Sequence, residues 1–142
     1  EIIYHASGGT GGGLFQAAQK ENHYAIGVDS DQDYIAPGSI LTTMQKRVDN
    51  AVYDVVESLK KGNFTAGVKE YGLAKGGIKV SLSGLGPMTK SALEAGDITE
   101  EEAEKIRKMK KMIPSDVKDR IKTIRDKIIA GEIDVPNYLA QQ

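Results

Sequence analysis

The chain of 142 residues contains no cysteine. A disulfide scaffold, a thiolate metal site and a cysteine nucleophile are therefore excluded. The same absence fits an exported bacterial protein that folds without oxidation. No apolar run reaches the length of a membrane-spanning helix. Neither charge sign dominates: 19 Lys and Arg face 20 Asp and Glu, a net charge of −1. That balance gives no reason to expect a nucleic-acid partner. Histidine is scarce; His5 and His23 are isolated and show no helical metal-ligand spacing. The chain opens on Glu1-Ile2-Ile3-Tyr4, inside a strand-like run, with no leading methionine and no signal peptide. It reads as a piece of a longer protein, and any export signal would lie in the remainder.

Glycine, by contrast, is plentiful, and five glycines fall in Gly8-Gly9-Thr10-Gly11-Gly12-Gly13. This loop follows a short apolar strand over residues 2–6, which is expected to be buried, and precedes a helix over about 13–21. Glycine lets a backbone turn sharply and lets a ligand approach the main chain. The helix start behind the loop offers unpaired N–H groups. The loop matches neither the dinucleotide G-x-G-x-x-G pattern, which needs glycine at Leu14 or Gln16, nor a P-loop. It is either a structural strand-to-helix joint or a ligand-facing loop; five glycines exceed what a turn requires.

A second strand, residues 24–28, ends in Asp29. A carboxylate at the tip of a parallel strand sits where open α/β sheets bind ligands, and it can accept two hydrogen bonds from a ribose diol. Asp29, Asp31 and Asp33 alternate as in a calcium loop, but Tyr34 and Ile40 stand where such a loop needs Gly and Glu. Asp31 and Asp33 are expected to cap the following turn. A third strand, residues 40–43, is entered through Pro37-Gly38. Lys46 is then expected at the start of a helix, where the dipole disfavours a cation. Either it is an ordinary surface lysine or an oxygen lies within reach, and Asp29 is the expected partner. His5 is expected to be packed rather than catalytic, and Ser7 lies in no hydrolase elbow.

The helix over 48–61 carries apolar residues at 48, 51, 52, 55, 56 and 59, one face at helical spacing. The alternation of strands and helices to this point predicts a parallel sheet with helices on its faces. Residues 65–71 and 78–82 then read as a β-hairpin joined through Gly76-Gly77. Helices are expected over 87–95, over 99–112 with a Thr99–Glu102 capping box, and over 115–129 with a buried stripe of Val117, Ile121, Ile124 and Ile128. The charged run from Glu100 to Lys111 reads as a solvated helix face. Residues 132–136 read as a short extended tail.

Five segments in order resemble the basic membrane protein (BMP) family of bacterial substrate-binding lipoproteins, which serve ABC importers. They are Ser7-Gly8-Gly9-Thr10-Gly11, Ile26 to Gln32, Leu41 to Lys46, Gly72 to Ile78, and Ile129 to Pro136. The resemblance implies an α/β fold: the three-layer parallel-sheet carboxyl-terminal lobe, residues 1–142, of a two-lobed type I periplasmic-binding protein. The β-hairpin and C-terminal helices are added to it, and the amino-terminal lobe is absent. It implies a nucleoside ligand in the cleft between lobes, Gly8 or Gly9 lining that cleft, and Asp29 and Lys46 binding the ribose. It further implies an ABC permease partner, a lipid anchor on the outer face of the cell membrane, no cofactor and no metal. Met44 and the extra glycines 12 and 13 depart from the common pattern. A lobe without its partner is expected to expose apolar surface and to dimerise. Two other readings of the same residues are a dinucleotide-dependent oxidoreductase domain, with Asp29 on the adenosine ribose, and a ligand-sensing regulatory domain.

Overall fold

The computed structural model describes residues 1–136. Four strands form one sheet in the order β1-β2-β3-β4: β1 Ile2–Tyr4, β2 Tyr24–Gly27, β3 Ile40–Lys46 and β4 Ile78–Val80. The first three run parallel, and β4 joins β3 antiparallel. Five helices accompany them: α1 Gly11–Lys20, α2 Val48–Lys60, α3 Pro87–Ala95, α4 Glu100–Met112 and α5 Ser115–Ile129. The expected α/β fold, a largely parallel sheet flanked by helices, is present.

α1 packs against β2 and α4 against β3. Phe15 and Ala18 of α1 bury themselves with Ala25, Ala36 and Ile40. A second cluster joins Ala92 of α3, Ile98, and Ala103 and Ile106 of α4, with Tyr34 packed against it. The segment 28–39 links the two clusters, because Ala36 enters the first and Tyr34 the second. This segment is also the crossover from β2 to β3, and it makes that parallel connection without a helix.

The hairpin is not formed. Residues 65–71 adopt no strand, and β4 takes β3 as its neighbour instead. The physical reason lies on both sides of the turn. β3 runs on to Lys46, three residues beyond its expected end, and so offers β4 a ladder at Met44, Gln45 and Lys46. Residues 73–75 meanwhile close into a 3-10 turn, ended by Gly76 in the left-handed region at φ 64°. Gly77 then packs directly on the Tyr71 backbone, where no Cβ fits.

Three expected burials are also absent among the described residues. All three residues of β1 are exposed: it is an edge strand, and α1 lies over β2 rather than over it. α2 has the expected amphipathic spacing but buries no residue; Val48, Val52, Val56 and Leu59 are each more than half exposed. α5 buries none either, with Val117 and Ile124 exposed and Ile121 and Ile128 half-buried. Amphipathic spacing sets which face of a helix can be buried, not whether another element covers it. The capping box of α4 is present in full: Thr99 Oγ1 accepts from the Glu102 amide, and Glu102 accepts from the Thr99 amide. Residues 132–136 form no strand, in keeping with an irregular tail.

Candidate functional site

The carboxyl ends of β1, β2 and β3 share one edge of the sheet, and the expected site residues follow from them. After β1, Gly8–Thr10 form a 3-10 turn leading into α1, with Gly8 in the left-handed region at φ 55°. Nothing lies within 4 Å of a Cβ built on Gly8 or Gly9, so both present bare backbone to open space. Gly11 is different in kind: the His5 ring occupies the place of its side chain. His5 lies just beyond β1 and meets Phe15 edge-on at 5.3 Å, with Ser7 Oγ 3.1 Å from its Nδ1. It is a packed residue, as the sequence suggested.

After β2, the chain turns tightly. Val28 donates its amide to Gln32 Oε1 at 2.8 Å, and Ser30 donates to the Val28 carbonyl. Within this turn Asp29 is held at φ 71°, a conformation that non-glycine residues seldom adopt. Two bonds tie it to the end of β3. The Lys46 amide donates to the Asp29 carbonyl at 2.7 Å, and Lys46 Nζ meets Asp29 Oδ1 at 2.6 Å. The expected Asp29–Lys46 pair is therefore formed. The carboxylate raises the Lys46 ammonium above its ordinary value, first by the hydrogen bond and then by charge.

Lys46 differs from expectation in its placement: it is the last residue of β3, and Arg47 stands at the N-cap of α2. Arg47 is the cation that the dipole opposes. Its guanidinium grips Asp49, with Nη2 2.6 Å from Oδ2 and Nε 2.9 Å from Oδ1. That bond pushes the Arg47 value up and the Asp49 value down. Beside the pair lies a depression of about 270 Å3, lined by Ser30, Asp31, Gln45, Lys46, Arg47 and Met88 among others. Of the expected site residues only Lys46 lines this depression; Asp29, Gly8 and Gly9 share the sheet edge but do not line it.

Asp31 and Asp33 do not cap the local turn. Both are buried and reach distant parts of the chain. Asp31 Oδ2 accepts the Thr89 amide at 2.8 Å and so caps the first turn of α3. Its other oxygen is buried without a partner, as is Thr89 Oγ1. Gly86 is required beside it, since a side chain there would run into the Asp31 carboxylate.

Asp33 meets Lys110 of α4, with Nζ 2.8 Å from Oδ2. Asp33 is 1% exposed and Lys110 2%. The expectation of a wholly solvated face from Glu100 to Lys111 fails at this point. Lys110 lies four residues after Ile106 and seven after Ala103, on the buried stripe of α4. That spacing was the available signal. Its three donors are all used, on Asp33, on the Leu41 carbonyl at 3.1 Å and on Ser81 Oγ at 3.1 Å. Thr43 Oγ1 donates to Asp33 Oδ1 at 2.9 Å. Burial pushes the Asp33 carboxyl above the usual carboxylate range; the Lys110 charge and hydrogen bond oppose this without cancelling it. The network joins the site loop, β3, the segment after β4, and α4 into one unit.

Open α/β sheets bind ligands in the crevice at the carboxyl ends of their strands, where this depression lies. A solved ABC transporter solute-binding protein from Aeropyrum pernix K1 shares the fold, with a TM-score of 0.74 and 28% identity, over 96% of this chain and 40% of that one. The family model described as ABC transporter substrate-binding protein PnrA-like matches residues 1–137, and the chain belongs to that family. A lipoprotein of Pyrococcus furiosus is 32% identical over 140 residues, spanning 94% of this chain and 32% of the relative. Basic membrane protein A of Borreliella afzelii is 31% identical over 140 residues, spanning 96% of this chain and 35% of the relative. The chain thus spans about a third of the length of these curated relatives. The family is one of substrate-binding proteins, and its relatives bear lipoprotein and membrane-protein names.

Proposed function

We propose that this chain is the carboxyl-terminal lobe of a purine-nucleoside receptor serving an ABC importer. The observation that carries the reading is the Asp29–Lys46 pair at the ends of β2 and β3, beside a depression and held in an uncommon backbone conformation. Asp29 accepts from the ribose hydroxyls, and Lys46 both orients that carboxylate and donates to the sugar. Gly8 and Gly9 bring bare backbone to the rim of the cleft. Backbone strain of this kind, about 1–3 kcal/mol, persists where the surroundings enforce it and clusters at ligand clamps.

The action is binding without chemistry. Ligand enters between this lobe and an amino-terminal one, the lobes close about a hinge, and the closed form engages the permease. The intact receptor is lipid-anchored on the extracytoplasmic face of the membrane. The lobe alone binds nucleoside weakly, because the opposite wall of the cleft is missing. Its uncovered apolar residues on α2 make the isolated chain self-associate; light scattering that shows a monomer at every concentration would remove that part of the reading.

The test is calorimetry of the longer polypeptide with adenosine, guanosine, inosine and cytidine, repeated with Asp29→Ala. Tight binding lost with Asp29 supports the proposal. A folded protein that binds none of the four overturns it.

A further inference from the structure

A second concavity, about 420 Å3, lies between β4 and α5. Its walls carry five cations, Arg47, Lys79, Lys118, Lys122 and Arg125, and no acidic residue. Five apolar residues, Leu73, Ile78, Val80, Leu82 and Ile121, line it as well. The cations are not a uniform coat on α5. Lys118, Ile121, Lys122 and Arg125 recur at three- and four-residue steps and so share one face, while Asp116, Asp119 and Asp126 do not line the concavity.

Two of the five cations have partners of their own. Arg47 is engaged by Asp49, and Lys118 Nζ donates to the Lys110 carbonyl at 2.9 Å. Lys79, Lys122 and Arg125 enter no ion pair among the described residues, although acids are as numerous as bases in the chain. Three cations without ion-pair partners thus border a concavity of about 420 Å3 that apolar residues also line. Such a site takes a ligand with an anionic head and an apolar body: the head meets Lys122, Arg125 and Lys79, and the body covers the Ile and Leu side chains.

We propose that the groove between β4 and α5 binds an amphiphilic phosphate-type anion. The site is separate from the depression beside Asp29 and Lys46, although Arg47 borders both. It stands whether or not that depression takes a nucleoside. The same head chemistry occurs in soluble alkyl phosphates and in acidic lipid headgroups, so the test has an arm for each.

The chain is titrated with hexyl phosphate, hexanol and inorganic phosphate while backbone amide shifts are followed by NMR. Hexyl phosphate is expected to shift amides within 73–82 and 118–125 saturably. Hexanol and inorganic phosphate are expected to bind about tenfold more weakly, since each engages only half of the site. Two variants on opposite walls, Lys79→Glu alone and Lys122→Glu with Arg125→Glu, are each expected to remove the effect. The amide spectrum itself reports whether each variant is folded. Lys108→Glu with Lys111→Glu makes the same charge change on α4 outside the groove and is expected to leave binding intact. Sedimentation with phosphatidylglycerol and phosphatidylcholine vesicles separates the sources. Binding to the former alone, lost in the groove variants, assigns a lipid headgroup; hexyl phosphate binding without vesicle binding assigns a soluble anion. Absence of both, equal affinity for inorganic and hexyl phosphate, or equal loss in the Lys108/Lys111 variant overturns the proposal.

Discussion

Lys110 Nζ lies 2.8 Å from Asp33 Oδ2, with both side chains closed off from solvent. The pair connects α4 to the loop that carries Asp29, so the fold and the candidate site share one element. A buried pair adds little net stability over an apolar replacement, but removing one member strands the other charge. Lys110→Met leaves the buried carboxylate unpaired and is therefore expected to cost about 3–5 kcal/mol in urea unfolding at neutral pH. Asp33→Asn, a neutral isostere of the protonated acid that burial favours, is expected to cost less. The double variant is expected to lose much less than the sum. A double-mutant cycle that shows simple additivity would refute the coupling.

The Asp33 carboxyl also sets a pH dependence with an unusual sign. Its folded value is raised above the ordinary 3.8 by burial, so over the window just above 3.8 the native state holds a proton that the unfolded state has released. Stability from this group is thus full below the window and falls as pH rises through it. Asp49 and Glu102, whose values are lowered, act in the opposite sense and lose their contribution on acidification. Subtracting the unfolding free energy of Asp33→Asn from that of the parent cancels those groups. The difference is expected to decline with rising pH above 3.8 and then level off; a rise would contradict the assignment.

The parts of the fold legible from sequence were those fixed locally. The β1–α1–β2 unit follows from apolar runs and glycine punctuation, and α4 from its Thr99–Glu102 box. The Asp29–Lys46 pair was legible because each residue ends or adjoins a parallel strand. What was not legible depended on distant partners. Asp31 and Asp33 look like turn caps until Thr89 and Lys110 arrive from α3 and α4. Lys110 looks solvated because lysine is seldom buried, and only its place on the Ala103–Ile106 stripe says otherwise. Residues 65–71 look like half a hairpin, but β4 finds a longer neighbour in β3.

Asp29 and Lys46 separate affinity from stability. Their pair is exposed, and an exposed ion pair adds little to stability. Asp29→Asn keeps a residue that tolerates the left-handed backbone while removing the charge. It is expected to leave thermal unfolding of the chain nearly unchanged and to weaken nucleoside binding by the longer receptor about tenfold or more. Lys46→Met is expected to behave likewise. A large loss of stability in either variant would make the pair structural rather than a ligand site.

Gly27 tests whether the fold sets the site geometry. A Cβ there would fall 2.7 Å from Thr43 Oγ1 and 2.9 Å from Gln32 Oε1. Thr43 is the hydrogen-bond donor to Asp33, and Gln32 holds the Val28 amide in the turn that presents Asp29. Neither neighbour can yield without breaking a bond that the loop depends on. Gly27→Ala is therefore expected to cost about 1–3 kcal/mol by overpacking. It is also expected to weaken nucleoside binding, because the displaced turn carries Asp29 away from Lys46. Adding Thr43→Ser removes the methyl from the crowded side while keeping the hydroxyl, and is expected to restore part of both losses. Stability restored by Thr43→Ser while binding stays impaired would place the defect at Gln32 and the turn, rather than in the packing beneath it.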